Sequence, residues 1–331
     1  RSARFIARIH GFRHRMIRNP AFRALAALLL TALVLAGCRR DQDADLSTVP
    51  GDPVAAVQAQ AQALRDNDLV RWSRLGLPPE LHARTEALWN RRLAEAEPAD
   101  AEEAREYADT MARLMAPDAE KALMRDIEPK LVEFETEIAG QWPLMQATAG
   151  IFLNAAIEAN TELSAAEKSH GQELVSTLLD WAQPALFTDR ERARQAIRAL
   201  SATARELDLP TLEDARALEM MPAMEKGGVA LAGLKEAAKA YDMDLDASLD
   251  GVEAELLSSE GDQARVKVTY PLLDESISFE MDMQRVGEGW YSADAIRQAE
   301  ADLAEAGPEA DVAQTPAPDA DAATPGAGSA D

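Results

Sequence analysis

Ala264-Arg265-Val266-Lys267-Val268-Thr269-Tyr270, followed by Ile277-Ser278-Phe279-Glu280-Met281-Asp282-Met283-Gln284, decides the fold class. In both stretches apolar and polar residues alternate, so each reads as a strand with one apolar and one wet face. Val252, Ala254 and Leu256 predict a strand before them, joined through Glu260-Gly261-Asp262. Gly287-Glu288-Gly289 predicts a turn into a short fourth strand at Trp290-Tyr291. Arg265 and Lys267 can pair across the wet face with Glu280 or Asp282, which accounts for those charges structurally. Four antiparallel strands need an apolar cover, and the preceding helix, Leu231 to Tyr241, is the expected one, helped by the first helix of the chain.

Upstream the period is helical. Asp52-Pro53 is a helix start, an N-cap followed by Pro at the first helical position, and that helix is expected to reach Asn67. Leu81, Thr85, Leu88 and Trp89 share one face of the next helix, and Tyr107, Met111, Leu114 and Met115 one face of a third. Leu123, Ile127, Leu131, Phe134 and Ile138 mark a fourth, in which Pro129 predicts a kink or break. Trp142-Pro143 opens a fifth, to about Asn160. Ser164 with Glu167, and Thr188 with Glu191, read as capping boxes. Pro210-Thr211 starts a further helix, which Gly227-Gly228 is expected to interrupt before a last one at 229–241. The expected fold is α+β and mostly α: an antiparallel helical bundle or array over 52–228, then a helix plus four-stranded antiparallel sheet over 229–300. Trp72, Trp89, Trp142 and Trp181 are read as packing anchors, and Met220, Met221 and Met224 as core filler.

The helix, curled sheet and closing Gly289-Trp290-Tyr291 with Asp294 resemble the small cystatin-like sheet domains of many bacterial lipoproteins. That family includes both binding modules and enzymes, so the resemblance implies a shape and no activity. A second resemblance lies at the other end of the chain. Met16 can start translation, Arg18 and Arg23 supply a charged region, and Ala24 to Gly37 carry no charge. Leu35-Ala36-Gly37-Cys38 closes that run on the chain's single cysteine. The stretch resembles the lipobox of bacterial lipoprotein precursors. The resemblance implies cleavage between Gly37 and Cys38, a diacylglyceryl thioether on Cys38 and an acylated new amino terminus, an anchor of several acyl chains. Fourteen uncharged residues fall short of the roughly 20 that span a bilayer, which counts against an uncleaved signal anchor. Because Arg39 is not acidic, the family's sorting habit tilts the expectation towards the outer membrane, facing the periplasm. Residues 39–51 then read as a polar tether, reaching roughly 45 Å if extended.

Charge divides along the same line. Residues 1–38 hold seven Arg and no acid; without them 27 basic residues face 58 acidic ones, a formal −31. A body so acidic repels nucleic acid and anionic lipid. From Gly307 to Asp331 there is no Lys, Arg or aromatic residue, so residues 301–331 are expected to form an acidic, Pro/Ala-rich tail without a core.

The chemical motifs are few. Asp242, Asp244, Asp246, Asp250 and Glu253 fall at positions 1, 3, 5, 9 and 12 of a calcium-binding loop, so calcium is a candidate ligand. Ala247 stands where that loop needs Gly, and the alternative is an acidic helix-to-strand connection. His82 is expected to be a lone surface residue, and no nucleophile elbow or phosphate-binding loop is present. The reading is a lipid-anchored, non-enzymatic binding or scaffolding module of the bacterial envelope. Its expected partners are the bilayer, through Cys38, and an unidentified periplasmic protein or ligand; nucleic acid is excluded. Cys38's lipid is the expected covalent group, with no other cofactor beyond the calcium candidate. The alternatives are an envelope-polymer hydrolase working through unmarked carboxylates, or a calcium-stabilised structural lipoprotein.

Overall fold

A computed structural model describes residues 49–161 and 163–307. Helices α1 (Pro53–Arg65), α2 (Leu69–Gly76), α3 (Pro79–Ala94), α4 (Ala101–Met115) and α5 (Ala119–Glu133) come first. A π-turn at Phe134–Ile138 and a 3-10 turn at Ala139–Gln141 lead into α6 (Trp142–Ala159). Then follow α7 (Ala165–Trp181), α8 (Pro184–Thr188), α9 (Arg190–Leu207), α10 (Leu212–Arg216), α11 (Met220–Lys239) and α12 (Leu245–Asp250). Strands β1 (Glu253–Glu260), β2 (Gln263–Leu272), β3 (Glu275–Val286) and β4 (Gly289–Ser292) form one antiparallel sheet in chain order, and α13 (Ala293–Glu305) follows. The fold is α+β and mostly helical.

The alternation in β2 and β3 has the expected consequence. Ala264, Val266, Val268, Tyr270 and Leu272 are buried on one face with Ile277 and Met283. On the other, Arg265 pairs with Asp282 at 2.8 Å, directly across the ladder. Gly261 and Gly287 turn the first and last hairpins at φ +61° and +63°, a backbone that side-chain-bearing residues rarely adopt.

The first helix covers the sheet as expected, but as its main cover rather than as a helper to the helix at 231–241. This helix, α1, lies on β1, β2 and β4, and α7 lies on β3. Asp52 caps α1 by accepting the Ala55 N–H at 2.9 Å, and Ala56, Val57, Ala61 and Leu64 project into the sheet's core. The helix at 231–241 contributes only Leu231, at the margin. No boundary therefore separates two cores at 228/229, since the largest core joins α1, α2, α7 and all of the sheet's inner face. A second cluster closes the C-terminal side: Ile296, Ala299 and Leu303 of α13 meet Leu81 and Leu88 of α3 and Tyr291 of β4. Helix α13 thus extends the fold to residue 307, beyond the tail boundary expected at 301. At the other end Val49 packs on the same cluster, so the tether expected at 39–51 reaches the body by residue 49.

Other departures have local causes. α5 runs through Pro129, and the break falls after it, at the π-turn. Asp189, not Thr188, caps α9, accepting the N–H groups of Glu191 and Arg192; the Thr188 hydroxyl donates instead to Pro184 O. Gly227-Gly228 does not interrupt a helix, because α11 passes straight through it. The glycines there serve close approach: a Cβ on Gly228 would lie 2.2 Å from Asn67 O.

One buried cation ties the helices together. Lys235 of α11 is 4% exposed, and its Nζ donates to Leu64 O at 2.6 Å and Arg65 O at 3.1 Å. It also pairs with Asp246 at 2.8 Å. The ammonium thereby caps the C-terminus of α1, where free carbonyls carry negative partial charge. Burial lowers its pKa, and Asp246 works against that shift.

His170 of α7 sits in the main core, its Nε2 3.3 Å from Tyr270 Oη and its ring 4.8 Å from that of Phe279. Burial pushes its pKa from 6.5 down to about 4 and raises that of the Tyr270 hydroxyl. The fold holds the neutral ring, whereas the unfolded chain takes up a proton near pH 6.5. Stability from this site is therefore complete above that pH and is lost as pH falls towards 4.

Two outcomes follow. Lys235→Met leaves two helix-end carbonyls and Asp246 without their cation, and should cost about 3 kcal/mol in urea unfolding at neutral pH; the Lys235→Met/Asp246→Leu double variant should recover part of that. Wild-type unfolding free energy should drop by up to about 3 kcal/mol between pH 7 and pH 4 from His170 alone, and His170→Leu should flatten that part of the profile.

Candidate interaction surface

Helix α6 is built inside out. Its sequence, Trp-Pro-Leu-Met-Gln-Ala-Thr-Ala-Gly-Ile-Phe-Leu-Asn-Ala-Ala-Ile-Glu-Ala, carries a single charge, Glu158, and none of its residues is buried. Gln146, Gly150 and Asn154 recur every fourth residue and so share one face. That face is turned to α7: the Gln146 side-chain amide donates to Leu179 O, and a Cβ on Gly150 would lie 3.3 Å from Leu179 Cδ1. Ile157 also packs there, against Gly171 of α7, but the larger part of the apolar side chains points the other way. Leu144 is 71% exposed, Ile151 70% and Phe152 66%, with Met145 and Leu153 near half. Val132, just upstream on α5, is exposed as well.

A soluble surface helix ordinarily turns its apolar stripe to the core and its polar residues to water. Here the reverse holds, and the patch is contiguous along the helix rather than scattered, the arrangement that marks an interaction site. Thr148, the hydroxyl residue among the outward side chains, donates to Leu144 O at 2.7 Å, so it offers no free hydrogen to solvent. Between α6 and α7 lies an open groove of about 630 Å³, lined by Pro143, Ala147, Ile151, Val175, Leu179 and Asp180 among others. At the near end the Trp142 and Phe134 rings meet edge to face at 5.6 Å and hold α6 against the π-turn.

The residues singled out in the sequence lie elsewhere. Leu35, Ala36, Gly37 and Cys38 fall outside the described residues. The five acids of the calcium candidate diverge. Asp242 pairs with Arg192 at 2.6 Å, Asp246 with Lys235 at 2.8 Å and Asp250 with Arg65 at 3.1 Å. Asp244 caps α12 and pairs with Lys239 at 2.8 Å, which lowers its pKa. Glu253 opens β1, opposite Thr269. A calcium loop needs these oxygens to converge. A helix, α12, occupies the middle of the stretch and prevents that, and no group of three or more His, Cys, Asp or Glu side chains is placed to hold a metal among the described residues. The residues do not fit calcium.

His82 is buried rather than on the surface, with Nε2 3.3 Å from Ser73 Oγ, and burial lowers its pKa. Two of the tryptophans anchor packing through their indole N–H groups, Trp89 donating to Leu218 O and Trp181 to Tyr241 O, while Trp72 packs on the main core and Trp142 on Phe134 through their rings. Met220 and Met224 fill cores. No helix among the described residues is long and apolar enough to cross a membrane. No family model, curated protein or solved structure matches the chain.

The α6 surface carried a sequence signal. Residues 138–157 form an uncharged run of 20 inside an otherwise highly charged body, with Gln146, Gly150 and Asn154 spaced four apart. If the apolar face is free of internal packing, Ile151→Glu and Phe152→Glu should each leave the melting temperature within about 2 °C, a change of under about 0.5 kcal/mol. Both should lower the binding of a hydrophobic dye to the folded protein.

Proposed function

We propose that this chain is a lipid-anchored binding module of the bacterial envelope, held through acylated Cys38 and engaging a partner with the outward face of α6. The lipobox-like Leu35-Ala36-Gly37-Cys38 supports the anchor and the periplasm-facing location. The observation that carries the binding role is α6 itself, a helix whose Gln146, Gly150 and Asn154 face its neighbour and whose Leu144, Ile151 and Phe152 face outward. Leaving large apolar side chains in water forgoes roughly 1.5–3 kcal/mol for each that a partner could bury fully. The role is non-catalytic: the partner is held rather than transformed.

The test is site-specific photo-crosslinking of the full chain in intact cells. A photoreactive residue at position 152 should yield a discrete protein adduct by mass spectrometry, and one at Asp109, exposed on α4, should not. Equal adduct patterns at the two positions contradict a dedicated surface. Separately, Cys38→Ser should release the chain from the membrane fraction, and its retention there would contradict the anchor.

A further inference from the structure

The charges around α6 narrow what it binds, given that α6 is the binding surface. Residues 131–167 contain six acids, Glu133, Glu135, Glu137, Glu158, Glu162 and Glu167, and no Lys or Arg. Glu133, Glu135 and Glu137 are exposed at the turn leading into α6, and Glu158 is exposed at its far end. The apolar face is therefore bounded by carboxylates at both ends. Lys130 lies one helical turn before Glu133, and two further cations near these acids have other contacts. Arg190 lies 3.6 Å from Glu135 but is shared with Glu128, and Lys168 donates its Nζ to the Glu158 carbonyl at 2.8 Å.

We propose that the α6 face receives an apolar helical segment of a protein partner whose ends carry basic residues. Helix α6 is about 27 Å long by its rise per residue, and the groove of about 630 Å³ beside it gives one incoming helix a ridge and a furrow to engage. Basic ends would sit against the two carboxylate clusters while the apolar middle covers Leu144, Ile151 and Phe152. The same charges disfavour the other occupants. Two copies pairing in parallel set Glu137 against its own equivalent, and pairing antiparallel they set Glu158 against Glu133–Glu137. A helix lying in a membrane surface relies on Lys and Arg at the headgroups, and here that rim is acidic, which anionic headgroups repel.

The experiment uses the full chain in phosphatidylcholine nanodiscs, with empty nanodiscs as the blank. Two fluorescent Leu/Ala peptides of the length of α6 are titrated, one ending in Lys pairs and the other in Glu pairs. The Lys-ended peptide should bind at least about tenfold more tightly, and the advantage should shrink as NaCl rises from about 50 to about 500 mM. Glu137→Lys/Glu158→Lys should remove or reverse the preference, and Phe152→Glu should weaken both peptides. Equal affinity for the two peptides, still lost in Phe152→Glu, would overturn the charge rule while leaving α6 as a binding surface. Binding of neither peptide, with position 152 crosslinking only to phospholipid or to a second copy of the chain, would overturn this inference together with the reading on which it rests.

Discussion

The Lys235 ammonium is the constraint on which the helices depend. It reaches from α11 to the last carbonyls of α1 and to Asp246 of α12, so three elements, one of them about 170 residues upstream, meet at one charge. Desolvating a lysine is costly, and this one is compensated on three sides by oxygen. Its geometry fixes where α1 ends, and α1 is the main lid over the sheet. The acids that alternate through 242–250 belong to the same device. Arg65, Arg192, Lys235 and Lys239 each take one of them, which turns a stretch spaced like a metal loop into a set of ion pairs clasping α1, α9 and α11.

Helix α6 obeys none of that economy. In the cores apolar side chains are drawn inward: Val57 and Leu64 are all but fully buried, and Leu303 of α13 nearly so; exposed ones outside α6, such as Leu200 and Leu256, stay less than half exposed. In α6 the inward positions go to Gln146, Gly150, Asn154 and Ile157, and the outward ones include Leu144, Ile151 and Phe152. The described body gains no burial from that exposure, which is the ground for proposing a partner there. A highly acidic surface keeps the molecule soluble despite the patch, and the carboxylates at both ends of α6 extend that acidity to the edge of the patch.

Much of the architecture was legible because local physics decided it. Alternation in β2 and β3, the glycines of two hairpins, and Asp52-Pro53 at the start of α1 each determine their element without tertiary help. The misread features were those decided by contact across the chain. Gly227-Gly228 looks like a break and is instead a close passage beside Asn67. The sheet's main cover is α1, about 200 residues upstream and expected only as a helper, because Ala56, Val57, Ala61 and Leu64 pack into its core. His82 looked like a surface residue because nothing local marks its burial. The candidate surface was readable in principle, as an uncharged run with Gln146, Gly150 and Asn154 four apart. Deciding that this polar stripe faces inward required α7, whose Leu179 carbonyl receives Gln146. Cys38 and its lipobox-like neighbours rest on sequence alone.

The central claim is that the apolar face of α6 is covered where the protein works. Met145 and Phe152 on that face are reactive towards hydroxyl radicals and can report on it directly. Footprinting should show both residues readily oxidised in the purified chain and strongly protected in intact cell envelopes, while Met111, buried in α4, stays slow in both. Equal oxidation of Met145 and Phe152 in the two settings would contradict the account.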